Sequence, residues 1–348
     1  MTLSRKLLLG FLTLGLFFGM AFIPEVIFGN NEMNSPPLQE FHERLLPLFT
    51  LPGVVYTDVI EGENRLEVGV ARRESFPAVA AELRQLKIPR GLVDIVTAKP
   101  ILPMATLRES IRPLQGGPQI AFSQFLCTLG FNVTRAGIEG FVMNAHCTDR
   151  EGSVEGTEHY QPTVTALNFI GTETADPPFF RGGSCPKGKK CRRSDSAYDE
   201  LAAGVTADLG SLARPDGVNT GSITVAGSFR IVGEAPSNAP VNTVLNKVGR
   251  TTGWSQGKVT KSCANTAVSG SNVIQLCQDW VKAKVGSGDS SSPVFKITDS
   301  PLKDDVELYG LLWGGSSDGT TFVYSPMANI ERTDELGPLV NCASGFSC

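Results

Sequence analysis

The sequence predicts a mostly β protein, a barrel or sandwich held by disulfides, with a small α+β unit ahead of it. Three observations carry this. From Ile120 to Tyr324, apolar runs of a few residues are broken by Gly, Asn, Asp, Pro and Ser, the pattern of many short strands joined by turns. All 8 cysteines lie in the last two-thirds of the chain, an even count with no Cys-x-x-Cys pair of a zinc ribbon or redox site, so disulfides are their natural use. The stretch before the first cysteine carries a strand, strand, helix, strand signature of its own. At 348 residues, 41% of them hydrophobic and 19% charged, the chain exceeds one domain of ~100–200 residues and can bury a sizeable core.

The elements follow in order. Arg5 and Lys6 precede an apolar run at 7–23 that Pro24 and Glu25 end, which reads as a secretory signal over residues 1–29. The run approaches the ~20 residues of a membrane span and lacks a small-residue cleavage motif, so an uncleaved membrane anchor through residues 7–23 is the alternative. Residues 30–37 are polar and proline-bearing and read as a linker. Residues 53–60 and 65–71 have strand composition, with Glu61, Gly62, Glu63 and Asn64 as the turn between them. Phe76, Val79, Ala80, Leu83 and Leu86 share one helical face, and 93–98 returns to strand character. Prolines and glycines between 102 and 117 close this ββαβ unit, so it spans 30–111 and a second domain spans 112–348. In that domain strands are predicted at 125–133, 141–144, 163–167, 223–231, 244–248, 273–281, 306–313 and 322–324, and a helix at 327–336.

Charge and motif content exclude several functions. The net charge of -4 supplies no field for collecting nucleic-acid phosphates. Lys187, Lys189, Lys190, Arg192 and Arg193 cluster between two cysteines and read as a solvated loop tip. No His-Glu-x-x-His, phosphate loop or dinucleotide fingerprint occurs, so no metal or organic cofactor is expected. Sequential pairing, Cys127–Cys147, Cys185–Cys191, Cys263–Cys277 and Cys342–Cys348, is the simplest of many connectivities, each bridge stabilising by roughly 2–4 kcal/mol. Asn132-Val133-Thr134 is a glycosylation sequon in a host that glycosylates exported proteins.

The chemistry centres on Gly288-Asp289-Ser290-Ser291-Ser292-Pro293 ahead of Val294-Phe295. A serine hydroxyl is a poor nucleophile at neutral pH and needs a nearby base and donors for the oxyanion formed on attack. A glycine two residues before the serine lets two backbone N–H groups converge on one point. Of 3 histidines, His42 lies on an early helix and His159 in a polar loop. His146 ends the apolar stretch Phe141-Val142-Met143-Asn144-Ala145 and stands beside Cys147.

Ala145-His146-Cys147, followed by Gly288-Asp289-Ser290 and Pro293, resembles the chymotrypsin-type serine peptidases, from about Arg112 to the C-terminus. Val248-Gly249-Arg250-Thr251-Thr252-Gly253-Trp254 and Gly310-Leu311-Leu312-Trp313-Gly314-Gly315 are similar to the bacterial branch of that superfamily. The resemblance implies a double six-stranded β-barrel with a short C-terminal helix, and an exported endopeptidase working through an acyl-enzyme. It implies His146 as base, Ser290 as nucleophile and an aspartate between them. Asp195, in Ser194-Asp195-Ser196-Ala197, best fits that third member, with Asp199 in reserve and Asp208 a further competitor. It also implies a Cys127–Cys147 bridge, an oxyanion hole from the backbone N–H groups of Gly288 and Ser290, and a cleft strand at Trp313 and Gly314 that pairs with a polypeptide substrate. The early unit resembles a folding-assisting prosegment, or else it remains as a permanent domain.

Three departures bear on function. Ser291 stands where the family has glycine, which supports the alternative of a catalytically silent homologue that binds peptide or protein. A disulfide-stapled structural β-protein is the other competing reading. Gly286 replaces a cysteine that frames the pocket. Lys284 falls near the base of the primary specificity pocket and disfavours a basic side chain at P1, the residue before the scissile bond. Finally, Asp289 requires an internal cation, because an unpaired buried carboxylate is costly, and the resemblance implies that Arg250 supplies it.

Overall fold

The computed structural model describes residues 36–101, 105–300 and 304–348 and divides into two units, through Leu102 and from Pro103. The apolar run at 7–23 lies outside the described residues. Among these, no helix is long and apolar enough to cross a membrane.

In the first unit, Leu66, Val68 and Val70 alternate along one strand and are all buried. They belong to the order α1 (Pro36–Glu43), β1 (Val54–Ile60), β2 (Arg65–Val70), α2 (Phe76–Gln85) and β3 (Val93–Thr97). β1 and β2 pair antiparallel, β2 and β3 parallel, and α2 makes the crossover that a parallel pair needs. Val79 and Leu83 of α2 pack with the β2 residues in one core. The helix α1 begins at Pro36, inside the stretch expected to be linker. Proline suits a first helical turn because its missing N–H would have no partner there.

The second unit runs β4 (Ala105–Thr106), β5 (Leu114–Gly116), β6 (Gln119–Phe122), β7 (Phe125–Thr128), β8 (Phe131–Arg135), β9 (Ile138–Met143), β10 (Glu158–Tyr160), β11 (Phe169–Ala175), β12 (Lys190–Arg192) and β13 (Ala197–Leu201). It continues with β14 (Ala207–Pro215), β15 (Thr224–Glu234), β16 (Val244–Gly249), β17 (Gly253–Ala267), β18 (Val273–Lys282), β19 (Pro293–Ile297), β20 (Asp305–Gly315), β21 (Phe322–Pro326) and α3 (Met327–Ile330). β4 pairs with β15, so the second unit takes in residues ahead of Arg112, where the sequence sets its start.

Two barrels result. The first sheet has the order β7-β6-β10-β11-β13-β9-β8. Its two end strands are consecutive in the chain, so one bent segment pairs with β6 by its first half and β9 by its second and closes the sheet. In the second sheet β16, β17, β18, β21, β20 and β19 pair successively, and β19 returns to β16. That is a closed antiparallel ring, which leaves no free edge. Each barrel has its own core, around Ile120, Phe141 and Ile170 in the first and Leu245, Val281 and Phe322 in the second. Phe131 and Val142 of the first barrel meet Phe229, Phe295 and Leu311 in a third cluster between them.

Several expectations are corrected. Residues 163–167 form no strand: Val164 and Leu167 are exposed, and a short 3-10 turn, Ala166–Asn168, leads into β11. β-prone composition makes no strand without a partner to pair with. The tail helix stops at Ile330, because Leu336 turns back to bond the Ile330 carbonyl at 3.0 Å and joins the inter-barrel core. Asn132 of the sequon is buried and donates to the Leu114 and Asp208 carbonyls at 2.7 and 3.0 Å, out of reach of a glycan in the folded protein. The four sequential disulfides are present, and no described cysteine is free.

Candidate active site

Three loops meet between the barrels. The apolar strand β9 ends at Met143 and delivers His146 in a short 3-10 turn, Ala145–Cys147, which the Cys127–Cys147 bridge ties to β7. Asp195 lies just before β13, and Ser290 just before β19 of the second barrel. The Asp195 carboxylate accepts from the His146 Nδ1 at 2.8 Å and from the His146 backbone N–H at 3.1 Å. His146 Nε2 stands 2.8 Å from Ser290 Oγ. Burial pushes the His146 imidazolium down, but the charge and hydrogen bond of Asp195 outweigh it, and the histidine stands above its ordinary value. Burial pushes Asp195 the other way, and the same histidine with Arg192 holds its carboxyl below the usual range.

The Asp195 loop rests on a charge the sequence misassigned. Arg192, expected at a solvated loop tip, is fully buried and pairs with Asp176 at 2.8 Å and Glu335 at 3.6 Å. The loop folds inward because Glu335 also accepts from the backbone N–H groups of Arg193 and Ser194 at 2.8 and 3.3 Å. Ser325 then receives the Asp195 N–H at 3.0 Å.

At the serine turn, Gly288 has φ +92° and Ser291 φ +71°, the left-handed region that glycine enters most readily. A Cβ on Gly288 would lie 2.5 Å from an Arg250 guanidinium nitrogen. Among the described residues, neither the Gly288 nor the Ser290 backbone N–H has a partner in the chain, so both donors are open beside Ser290 Oγ. Ser291 is buried, and its N–H donates to Leu312 O at 2.8 Å and to Asn144 Oδ1 at 2.5 Å.

Arg250 does not pair with Asp289. The carboxylate is neutralised instead by Lys247 at 3.0 Å, with both groups fully buried. It further accepts from the Thr251, Thr252 and Gly286 N–H groups at 2.9, 3.2 and 3.0 Å and from the Thr252 hydroxyl at 2.6 Å. The reason lies in strand geometry. Residues two apart share a face, and a Cβ on Gly249 would lie 2.5 Å from Asp289 Oδ1, so the Gly249 face of β16 abuts the carboxylate. Lys247 lies on that face, whereas Arg250 follows the strand, donates to Gln119 Oε1 at 2.6 Å and lines a pocket of about 500 Å³ beside Gly288. A lysine inside a strand otherwise mostly apolar, Val244-Leu245-Asn246-Lys247-Val248, was the available sequence signal. Burial lifts the Asp289 carboxyl, but Lys247 and the other donors outweigh it and keep the carboxyl below its usual range.

A cleft of about 690 Å³ is lined by His146 and Asp195 together with Trp313 and Gly314. Glu151, half-buried in it, is pushed up to about 7 by burial and by the Asp195 charge. A smaller pocket of about 300 Å³ borders Ser290 between Val285–Ser287 and Gly314–Ser317. Lys284 is exposed and lines none of it, which corrects its expected place at the pocket base. His42 donates or accepts at Thr57 Oγ1, 3.1 Å away in the first unit, and Asp208 is exposed. No group of three or more His, Cys, Asp or Glu among the described residues is arranged to hold a metal ion.

Asp199 and His159, the reserve acid and the loop histidine, bind each other. His159 Nδ1 lies 2.6 Å from Asp199 Oδ2, its Nε2 donates to the Cys147 carbonyl at 2.8 Å, and both side chains are fully buried. Burial pushes the His159 imidazolium down, yet Asp199 and that carbonyl outweigh it and raise the histidine, while burial raises Asp199. Both folded values exceed the unfolded ones, so the folded pair holds extra protons. The Asp199 contribution is full below pH ~3.9 and the His159 contribution below pH ~6.5, and each declines as pH rises through that group's folded value, at up to about 1.4 kcal/mol per pH unit per group. Urea unfolding between about pH 6 and 9 is expected to show this decline in the wild type. In the paired variant His159→Leu/Asp199→Leu the decline should be shallower, and an unchanged slope would assign it elsewhere.

No family model and no curated protein matches the chain. Solved structures do. The chain is similar in structure to Thermobifida fusca protease A, at 19% identity over 61% of this chain and 91% of that one, with a TM-score of 0.44. It is similar also to a Nocardiopsis protease, at 22% identity over 61% and 91% with a TM-score of 0.43. A Cellulomonas bogoriensis chymotrypsin gives 22% identity over 62% and 92% with a TM-score of 0.42.

Proposed function

We propose that the second unit is an exported serine endopeptidase. One observation carries the reading: a continuous line from Ser290 Oγ to His146 Nε2 and from His146 Nδ1 to Asp195 Oδ2, 2.8 Å at each step. Ser290 Oγ attacks the scissile carbonyl and passes its proton to His146, which returns it to the leaving amine as the acyl-enzyme forms. Water then attacks the ester by the same route. Asp195 holds the imidazole in the tautomer that presents a basic Nε2 and stabilises the imidazolium. The open N–H groups of Gly288 and Ser290 receive the oxyanion, and the peptide lies along Trp313 and Gly314. Four disulfides suit an oxidising compartment outside the cytoplasm. In this reading the first unit, with its own core, is a prosegment that the mature enzyme has shed. A fluorophosphonate tests the reading: it should label Ser290 in the wild type and spare a His146→Ala protein, and an unlabelled wild type would refute it.

Among the described residues the pocket beside Ser290 has no ionisable side chain in its lining. A charged P1 group would enter without a counter-ion, at a cost of several kcal/mol. A peptide library is therefore expected to show small neutral P1 residues cleaved at least about a hundredfold better than Lys or Arg. Efficient cleavage after Arg would contradict this.

A further inference from the structure

The residue after the nucleophile poses the question. Ser291 keeps φ +71° although it carries a Cβ, which glycine in the same place would spare. Its hydroxyl is put to use. Ser291 Oγ accepts the Asn144 backbone N–H at 2.8 Å, and Asn144 Oδ1 accepts the Ser291 N–H at 2.5 Å, so the two residues clasp each other through side chain and backbone. The other end of the Asn144 amide donates to the Asp195 carbonyl at 2.7 Å. Ser291 Oγ also donates to Cys147 Sγ at 3.6 Å. Asn144 and Ser291 are both completely buried, where no water competes for these bonds and each unmet donor or acceptor is costly.

The two residues thus occupy a particular place. Asn144 precedes the proposed base by two positions, Ser291 follows the proposed nucleophile, and the Asn144 amide reaches the backbone of the proposed acid. We propose that Asn144 and Ser291 act together as a positioning clamp that sets the separation of the three catalytic loops, with serine required after the nucleophile because Asn144 needs its hydroxyl. The proposal rests on the endopeptidase reading above. It turns the departure that favoured a silent homologue into a requirement for turnover. Neither residue touches the substrate cleft, so the clamp acts on the chemical step and leaves peptide binding alone.

The test compares Asn144→Ala, Ser291→Gly and the double variant of the full chain by kcat, KM, melting temperature and fluorophosphonate labelling. Ser291→Gly relieves the backbone constraint, so it should fold and melt close to the wild type. Its kcat is nonetheless expected to fall about 10- to 100-fold, the effect of a small misplacement of reacting groups, with KM unchanged. Asn144→Ala should fall at least as far, and the double variant no further than the worse single one, because the bonds are shared. Asn144→Asp, isosteric but without the donor to the Asp195 carbonyl, should also lose kcat. If the wild type labels and turns over while the single variants match it, or their losses multiply in the double variant, the clamp is overturned and the triad reading stands. A kcat loss in Ser291→Gly that tracks a lowered melting temperature also overturns it, since the role would then be structural. A wild type that neither labels nor cleaves overturns both.

Discussion

Ser290→Ala is expected to lower kcat by roughly 10⁴–10⁶-fold while the protein keeps its melting temperature, and His146→Ala to do the same. In the proposed mechanism serine and histidine act as one unit. Without the imidazole the hydroxyl has no proton acceptor, and without the hydroxyl the imidazole has nothing to activate, so the double variant should be little worse than either alone. Asp195→Asn should also be severe, because an amide can hold the imidazole in the wrong tautomer. Asp199→Asn should leave turnover nearly intact, as Asp199 engages His159 and not His146. The pH profile carries a sign. Since His146 stands above the ordinary histidine value and must be neutral to accept a proton, kcat/KM should rise with a midpoint above pH ~6.5. Multiplying losses, or a Ser290→Ala protein with near-normal turnover, would remove the assignment.

Lys247→Met is expected to destabilise the second unit by about 3–5 kcal/mol, the usual effect of stripping one partner from a buried ion pair. Asp289 would keep its four other donors, but they are dipoles and leave the charge uncompensated. The melting temperature should fall on the order of 10 °C. Turnover should fall as well, because Asp289 lies between the two proposed oxyanion donors, Gly288 and Ser290. Acid should act in the same direction. The folded Asp289 value is depressed, so its stabilisation is present above pH ~3.9 and is lost as pH falls through the folded value. Arg250→Met should change stability by less than about 1 kcal/mol, since among the described residues the half-buried guanidinium pairs with no carboxylate. Reversed magnitudes in the two variants would restore Arg250 as the partner.

Much of this architecture could be read locally. Alternation in Leu66-Glu67-Val68-Gly69-Val70 and the helical spacing of Phe76, Val79 and Leu83 define the ββαβ unit from neighbours in the chain. The run Phe141-Val142-Met143 leading to His146, and the glycine two residues before Ser290, are likewise local patterns, and His146 and Ser290 lie within hydrogen-bond distance in the fold. Where a run's fate depended on distant partners, local reading failed. Residues 163–167 have the composition of a strand but no neighbour to pair with, and Leu336 has helical character but is drawn into the inter-barrel core.

What the sequence by itself determined was therefore the set of elements and the chemical types at the site: β-rich second unit, an even set of disulfide-type cysteines whose pairing the structure chose, a serine turn, a histidine at a strand end and an acid between them. Which charge meets which was decided only by the tertiary structure. Asp289 drew Lys247 and not Arg250, Arg192 went inside to Asp176 and Glu335, and Asp199 took His159 while Asp195 took His146. The physical reason is that a buried charge must find its partner within a few ångströms. That distance is set by strand face, register and the seam between two barrels, which join residues far apart along the chain.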